Sequence, residues 1–304
     1  MIVTVTLNPS VDYVVRLSEL NIGSLNRTGD ATYFAGGKGI NVTQVLHELH
    51  IPSVATGFVG GFSGEFIKDS LTARGIQTNF VQIDEPTRIN IKLKTRDETE
   101  VNAAGPSIST ENLNALLQLV NEYGEGDTLV LAGSIPSSLS SSLYGDLTEK
   151  ASSSGMKVVI DAEKALLEPA LTSSLHFIKP NQHELGEYFG VEVKTVEEAI
   201  LYGKKLLAYD IENIMISMAE KGAVLLTKDA IYQAQVPKGI VKNSVGSGDS
   251  SVAGFLAGRE KGLSIEESFR FSVATGSATA FSEGLATADD IERLVPQVTI
   301  QSLI

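Results

Sequence analysis

Short apolar runs alternate with amphipathic ones along most of this chain, and that rhythm restricts its fold more than any single motif does. Strand-like runs lie at 54–59, 128–132, 157–161, 176–179 and 213–217, and segments near 40–49, 64–74, 110–123, 139–154, 181–189 and 195–208 carry helical spacing. Such alternation predicts βαβ units: a mostly parallel central sheet covered by helices on both faces. The opening run, 1–9, reads as the first buried strand; it has no basic region ahead of its apolar stretch and breaks at Asn8-Pro9, unlike a signal peptide. A cytoplasmic protein is therefore expected. No Ser/Gly linker or charge run divides the chain, so residues 1–304 are expected to form one domain.

Two stretches depart from this rhythm. Residues 86–102 alternate polar and apolar around an Arg96-Asp97-Glu98 turn, and 11–35 hold a second set of short alternating segments. Together, segments 11–35 and 86–103 are expected to form a small β-sheet lying over a cleft as a lid. Period two puts Arg88, Asn90, Lys92 and Lys94 on one face and Ile89, Ile91 and Leu93 on the other. A solvated face is a sufficient account of the two lysines, less so of Arg88, whose guanidinium can grip a phosphate bidentately.

Composition narrows the partners. A net charge of −13 excludes the basic footprint that nucleic acids and anionic membranes require, and no apolar run reaches membrane-spanning length. The absence of cysteine excludes disulfides and thiolate metal sites. His47, His50, His176 and His183 show no ligand spacing, and the first strand is not followed by the GxGxxG of a dinucleotide site.

Three glycine- or carboxylate-bearing turns could carry chemistry. Gly246-Ser247-Gly248-Asp249 follows an alternating stretch, 240–245, that reads as a strand, and precedes a helix of small residues. Its glycines let successive amides converge at a helix N-terminus, where an anion is favoured. Asp249 there is either a helix cap or a base that takes a proton from a substrate hydroxyl. Gly36-Gly37-Lys38-Gly39 opens another helix, with Asn41 one turn beyond Lys38. It is not a P-loop, because Gly39 stands where a magnesium-binding hydroxyl is needed. Lys179-Pro180-Asn181-Gln182-His183-Glu184 reads as a capping box or as a site where Glu184 holds Mg²⁺ through water. Asp161, at the carboxyl end of its strand, points to the same cleft as a further metal candidate or as a cap for the helix near Glu163.

These motifs occur in the order Thr6-Leu7-Asn8-Pro9 with Asp12, Gly36 to Asn41, Thr87-Arg88-Ile89-Asn90, Asn181 to Glu184, Ser217 to Gly222 and Gly246 to Asp249. In that order the chain resembles the ribokinase-like (PfkB) sugar kinases from end to end, and among them it is most similar to the bacterial enzymes acting on fructose 1-phosphate. The resemblance implies a three-layer αβα domain with a β lid, and ATP with Mg²⁺ beside a sugar phosphate held between core and lid. It also implies pairing of two copies through their lids. It makes Asp249 the catalytic base and the amides of Gly246, Ser247, Gly248 and Asp249 the anion hole. Asp12, Gly37, Lys38, Asn41, Arg88 and Asn90 become sugar-phosphate contacts. Lys179, Asn181, Ser217 and Gly222 fall on the nucleotide side and Glu184 at the metal. Ala219 departs from the pattern, since a glycine is common there. The implied reaction phosphorylates the C6 hydroxyl of fructose 1-phosphate. The rival readings are a tagatose-6-phosphate kinase and, from other classes, an NAD-dependent oxidoreductase or a non-catalytic sugar-phosphate sensor.

Overall fold

A computed structural model describes residues 1–96 and 98–303. In chain order the first half contains β1 (Ile2–Thr6), β2 (Ser10–Arg16), β3 (Ala31–Gly36), α1 (Lys38–Glu48), β4 (Ser53–Gly60), α2 (Gly61–Thr72), β5 (Gln77–Ile83), β6 (Arg88–Lys94), β7 (Glu98–Val101), α3 (Thr110–Val120), β8 (Thr128–Ala132) and α4 (Leu143–Ser153). The second half contains β9 (Lys157–Asp161), α5 (Lys164–Ala170), β10 (Leu175–Ile178), α6 (Gln182–Phe189), α7 (Val196–Leu206), β11 (Ile211–Ser217), β12 (Ala223–Thr227), β13 (Ile231–Gln235), α8 (Ser247–Glu260), α9 (Ile265–Ala280), α10 (Ala288–Leu294) and β14 (Thr299–Ser302). Apart from 240–245, the expected strand and helix runs are present, with ends shifted by up to four residues.

Ten strands form the large sheet in the order β14-β13-β12-β11-β10-β9-β8-β1-β4-β5, parallel from β11 to β5. β12, β13 and β14 extend it antiparallel. Alternation along each strand sorts the core into two layers. Val3, Val5, Leu129, Leu131, Val158 and Ile160 pack with Leu116, Leu147 and Leu206 on one side. Val130, Val159 and Phe177 pack with Val42, Phe255 and Phe269 on the other. Helices α3 to α7 thus cover one face and α1, α8, α9 and α10 the other, giving three layers. The strand order reverses direction at β1, with β4 on one side and β8 on the other, and a crevice opens at the carboxyl ends of such strands. Among the described residues no helix is long and apolar enough to cross a membrane.

The lid is a four-stranded sheet, β3-β2-β6-β7, built from the two expected segments; Asp97 of the expected turn lies outside the described residues. Its faces are reversed relative to an ordinary surface sheet. Asn90 and Lys92 are buried toward the cleft, whereas Ile91 is 38% exposed. Tyr33, Tyr13, Ile91 and Val101 are cross-strand neighbours in one row, with the two tyrosine rings stacked at 4.4 Å. Tyr33 and Val101 are more than half exposed, so the lid turns its apolar row outward. One expectation fails: residues 240–245 form a loop, with Ile240 and Val241 exposed and the Lys242 and Asn243 amides bonded to the Ala280 carbonyl. The alternation there reflects no buried face, so nothing fixes it as a strand.

Candidate active site

Between lid and core lies a cleft of about 620 Å³, and most of the residues singled out in the sequence line it. Asp12, Gly37, Lys38, Asn41, Arg88, Asn90, Asp161, Lys179, Asn181, Glu184, Ser217, Gly246, Gly248 and Asp249 all do so. Ser247 and Gly222 do not. Ser247 sits at the first position of α8 with its hydroxyl buried and unpartnered and its amide donating to the Ser244 carbonyl at 3.3 Å. Gly222 ends the turn after β11 at φ 94°, where a Cβ would meet the Ala234 carbonyl at 1.9 Å, so its part is to shape that turn.

α8 is buried along most of its length against α9, which fixes where its N-terminus points. Gly246 precedes it in the left-handed region, at φ 80°, and no side chain caps the helix. Ser247 and Ser250 give their amides to the Ser244 and Gly246 carbonyls, so the Gly248 and Asp249 amides between them are the ones placed to hold an anion. Asp249 is 5% exposed in that first turn, and its Oδ2 accepts a hydrogen bond from Asn41 Nδ2 at 2.8 Å. Burial lifts the Asp249 carboxyl and the Asp161 charge adds to it, while Lys38, Asn41 and Lys179 pull the other way; the group is pushed up to about 6. The cap reading of Asp249 fails, because its side chain bonds α1 rather than the α8 backbone. Asn41, which lines the cleft one helical turn from Lys38, thus also orients the carboxylate.

Lys38, Lys179 and Asp161 form a charge cluster beside this turn, with Lys179 and Asp161 buried and Lys38 half-buried. Lys38 Nζ lies 3.2 Å from Asp161 Oδ1, and Lys179 Nζ lies 3.5 Å from Oδ2. Burial opposes the Asp161 charge, but Lys179 and Lys38 outweigh it and hold the carboxyl below the ordinary range. Asp161 in turn raises the Lys38 ammonium, which stays charged. Asp161 is thus not the cap, a position that falls to Glu163; its Oδ1 accepts from Lys38, while its Oδ2 faces Lys179 at 3.5 Å and has no hydrogen-bond partner. A Cβ on Gly248 would stand 3.0 Å from Lys179 Nζ, so a glycine lets that cation approach the anion cradle.

Asn181 and Glu184 form the expected capping box. Asn181 Oδ1 accepts from the amides of His183 and Glu184, and Glu184 Oε2 accepts from the Asn181 amide at 2.8 Å. One Glu184 oxygen is left over at the cleft wall. Among the described residues no three carboxylates or histidines cluster as a metal cage. The donor set fits Mg²⁺ held mainly by phosphate and water with one carboxylate, the coordination that ion prefers.

The lid side supplies a polar wall. Asn90 Nδ2 and Ser10 Oγ both donate to Asp12 Oδ1, at 3.1 and 2.7 Å, fixing that carboxylate in the cleft. Arg88 donates through Nη2 to the Asn8 carbonyl and through Nη1 to the Ala103 carbonyl; its Nε is buried without a partner. Lys92 pairs with Glu100 at 2.7 Å across the hairpin. Sequence reasoning did not single out Thr6, Asn8, Ser10, Glu100, Asn102 or Ser134 as site residues, although all line the cleft. For Thr6 and Asn8 a signal existed, since the carboxyl end of a first parallel strand opens on the crevice.

The model for pfkB family carbohydrate kinases matches residues 5–292. The chain is 50% identical to a 1-phosphofructokinase of Bacillus subtilis and 34% identical to a D-tagatose-1-phosphate kinase of Bacillus licheniformis, each over the whole of both chains. Phosphofructokinase-2 from Escherichia coli, solved in complex with substrates and products, shares the fold at a TM-score of 0.93 and 24% identity, over 97% of this chain and 98% of that one. With a buried carboxylate at a helix N-terminus, two lysines beside it and a polar lid above, the protein belongs to the pfkB family of carbohydrate kinases.

Proposed function

We propose that this kinase transfers the γ-phosphoryl of ATP to the C6 hydroxyl of fructose 1-phosphate, giving fructose 1,6-bisphosphate and ADP. The observation that carries the reading is Asp249: a buried carboxylate beside a first turn of uncapped amides, tied to α1 by Asn41. Asp249 takes the hydroxyl proton as the sugar oxygen attacks the γ-phosphorus, and the bond from that phosphorus to the β–γ bridging oxygen breaks to release ADP. Amides of Gly246 to Asp249 face the charge on the transferred group, and Lys38 and Lys179 neutralise it from the side. A pKa near 6 leaves Asp249 ionised at neutral pH yet basic enough to accept a proton.

Mg²⁺, held beside Glu184, would supply further neutralisation of the phosphates. Asn181, Ser217 and Lys179 serve the nucleotide side, with Gly222 shaping its turn. Asp12, Asn90, Gly37 and Lys38 serve the sugar phosphate. Arg88, with one hydrogen of each Nη given to a backbone carbonyl and its Nε buried, keeps one hydrogen on each Nη for its phosphate. The outward row Tyr33, Tyr13, Ile91 and Val101 supports a homodimer paired through the lids.

The B. licheniformis relative favours one second reading, tagatose 1-phosphate as acceptor. A coupled ADP assay with fructose 1-phosphate, fructose 6-phosphate, tagatose 1-phosphate and tagatose 6-phosphate separates these. The highest kcat/KM is expected with fructose 1-phosphate, and preference for any other acceptor rejects the assignment.

A further inference from the structure

The loop that leads into the anion cradle is also where the lid touches the C-terminal half of the core. Asn243, three residues before Gly246, is held on every side. Its amide donates to the Ala280 carbonyl, and its Nδ2 donates to the Glu283 carbonyl at 3.3 Å. Its Oδ1 accepts from the Val245 amide at 3.2 Å, which shapes the path into Gly246. The same oxygen accepts from Lys94 Nζ, also at 3.2 Å, and Lys94 is the last residue of lid strand β6. Its register partner, Arg16, ends lid strand β2 and lies 3.9 Å from Glu283. The loop after α9 reaches the cradle too, since Leu285 would contact a Cβ on Gly246 at 2.9 Å. Two lid cations thus meet the two loops that frame the cradle. Neither Lys94 nor Asn243 lines the cleft.

We propose that the Lys94–Asn243 hydrogen bond couples the two halves of the site, so that a sugar phosphate under the lid tightens binding of the nucleotide. A ligand contacting Asp12 and Asn90 holds β2 and β6 in place. Lys94, four residues along β6 from Asn90, then meets Asn243, and Asn243 sets the chain that presents the Gly246–Asp249 amides. Asn243 and Lys94 are positioning residues on this account: they touch neither substrate but link the elements that do. Linkage makes the effect reciprocal, so the nucleotide tightens the sugar phosphate by the same factor. The inference rests on the assignment of the two substrates made above.

Titration calorimetry on the full chain tests it, with adenylyl imidodiphosphate as the nucleotide and saturating fructose 1-phosphate present or absent. For the wild type, the sugar phosphate is expected to lower the nucleotide Kd by about 5-fold or more. In Lys94→Ala and in Asn243→Ala that ratio should fall toward 1, with each ligand's Kd alone changed less than about 2-fold in Lys94→Ala, and the double variant should do no worse than either single. Asn243→Asp keeps an acceptor for both donors and should retain the coupling. Since Lys94 lies outside the cleft, weak binding of either ligand alone in Lys94→Ala would instead indicate a general structural role and overturn the proposal. An unchanged ratio in Lys94→Ala, additive losses in the double variant, or no coupling in the wild type would each overturn it as well. Wild-type binding of fructose 1-phosphate alone reads out separately: its absence rejects the substrate assignment and the coupling with it.

Discussion

Replacing Asp249 by Asn should stabilise the fold while removing activity, and the two effects have one cause. Burial and the Asp161 charge push the Asp249 carboxyl from 3.8 to about 6, so the folded protein binds its proton more tightly than the unfolded chain does. That preference contributes stability below pH 3.8, and it is lost as pH rises through 6. Above pH 6 the ionised group costs about 3 kcal/mol, from roughly two units at 1.36 kcal/mol each. An asparagine side chain in its place carries no charge to desolvate and keeps an acceptor for Asn41, so the variant should recover most of that amount. For 304 residues the unfolding entropy is about 0.6 kcal/mol/K, and the gain corresponds to a Tm higher by about 5 K. Thermal unfolding of both proteins at pH 8 and pH 4 checks this. The gap should be about 5 K at pH 8 and shrink to a fraction of that at pH 4, while kcat at pH 8 falls about 100- to 10,000-fold. An equal or lower Tm for the variant at pH 8, or a gap that persists at pH 4, would refute the placement of an ionised, desolvated base.

Other expectations follow from the same geometry. The kcat/KM for the sugar phosphate should decline below about pH 6 as Asp249 takes up its proton, and a profile flat to pH 5 rejects Asp249 as the base. Lys38→Ala and Arg88→Ala should raise KM for the sugar phosphate more than for ATP in steady-state assays; no change in either removes them from the phosphate grip. Ala219→Gly relieves a left-handed residue at φ 50° and should raise stability by about 0.5–1 kcal/mol in urea unfolding, since the strain of about 1–2 kcal/mol exceeds the added chain entropy of glycine. Tyr33→Lys on the outward lid row should shift sedimentation toward monomer, and an unaltered sedimentation coefficient discards the lid as the pairing surface.

The layered fold was legible because a buried parallel strand and an amphipathic helix leave different periods in the sequence. The lid was legible because β6 alternates strictly, although the alternation alone does not say that its polar side turns inward. The glycine-rich turns announced where an anion could sit. What stayed hidden were pairings over long sequence distance: Asn41 with Asp249, Lys38 and Lys179 with Asp161, and Arg88 with two backbone carbonyls. Spacing within a helix or strand cannot report these, because they depend on which strand ends the topology gathers at β1. Residues 240–245 show the converse, an alternation with no packed face behind it. Ala219 was visible as a departure, and the structure gives it a physical meaning as a strained turn residue.

The reversed lid has a consequence for how this enzyme could change its acceptor. Along β6 the residues that look into the cleft, Asn90 and Lys92, are interleaved with one that looks away, Ile91, and none belongs to either helix-covered layer of the large sheet. Ligand recognition and interior packing are therefore written in separate residues. On the roles proposed above, a substitution at position 90 would retune which sugar is held without reopening the core, and those at 33, 91 and 101 would alter association without touching the sugar. If those roles hold, acceptor choice and assembly would drift independently on a scaffold that stays fixed.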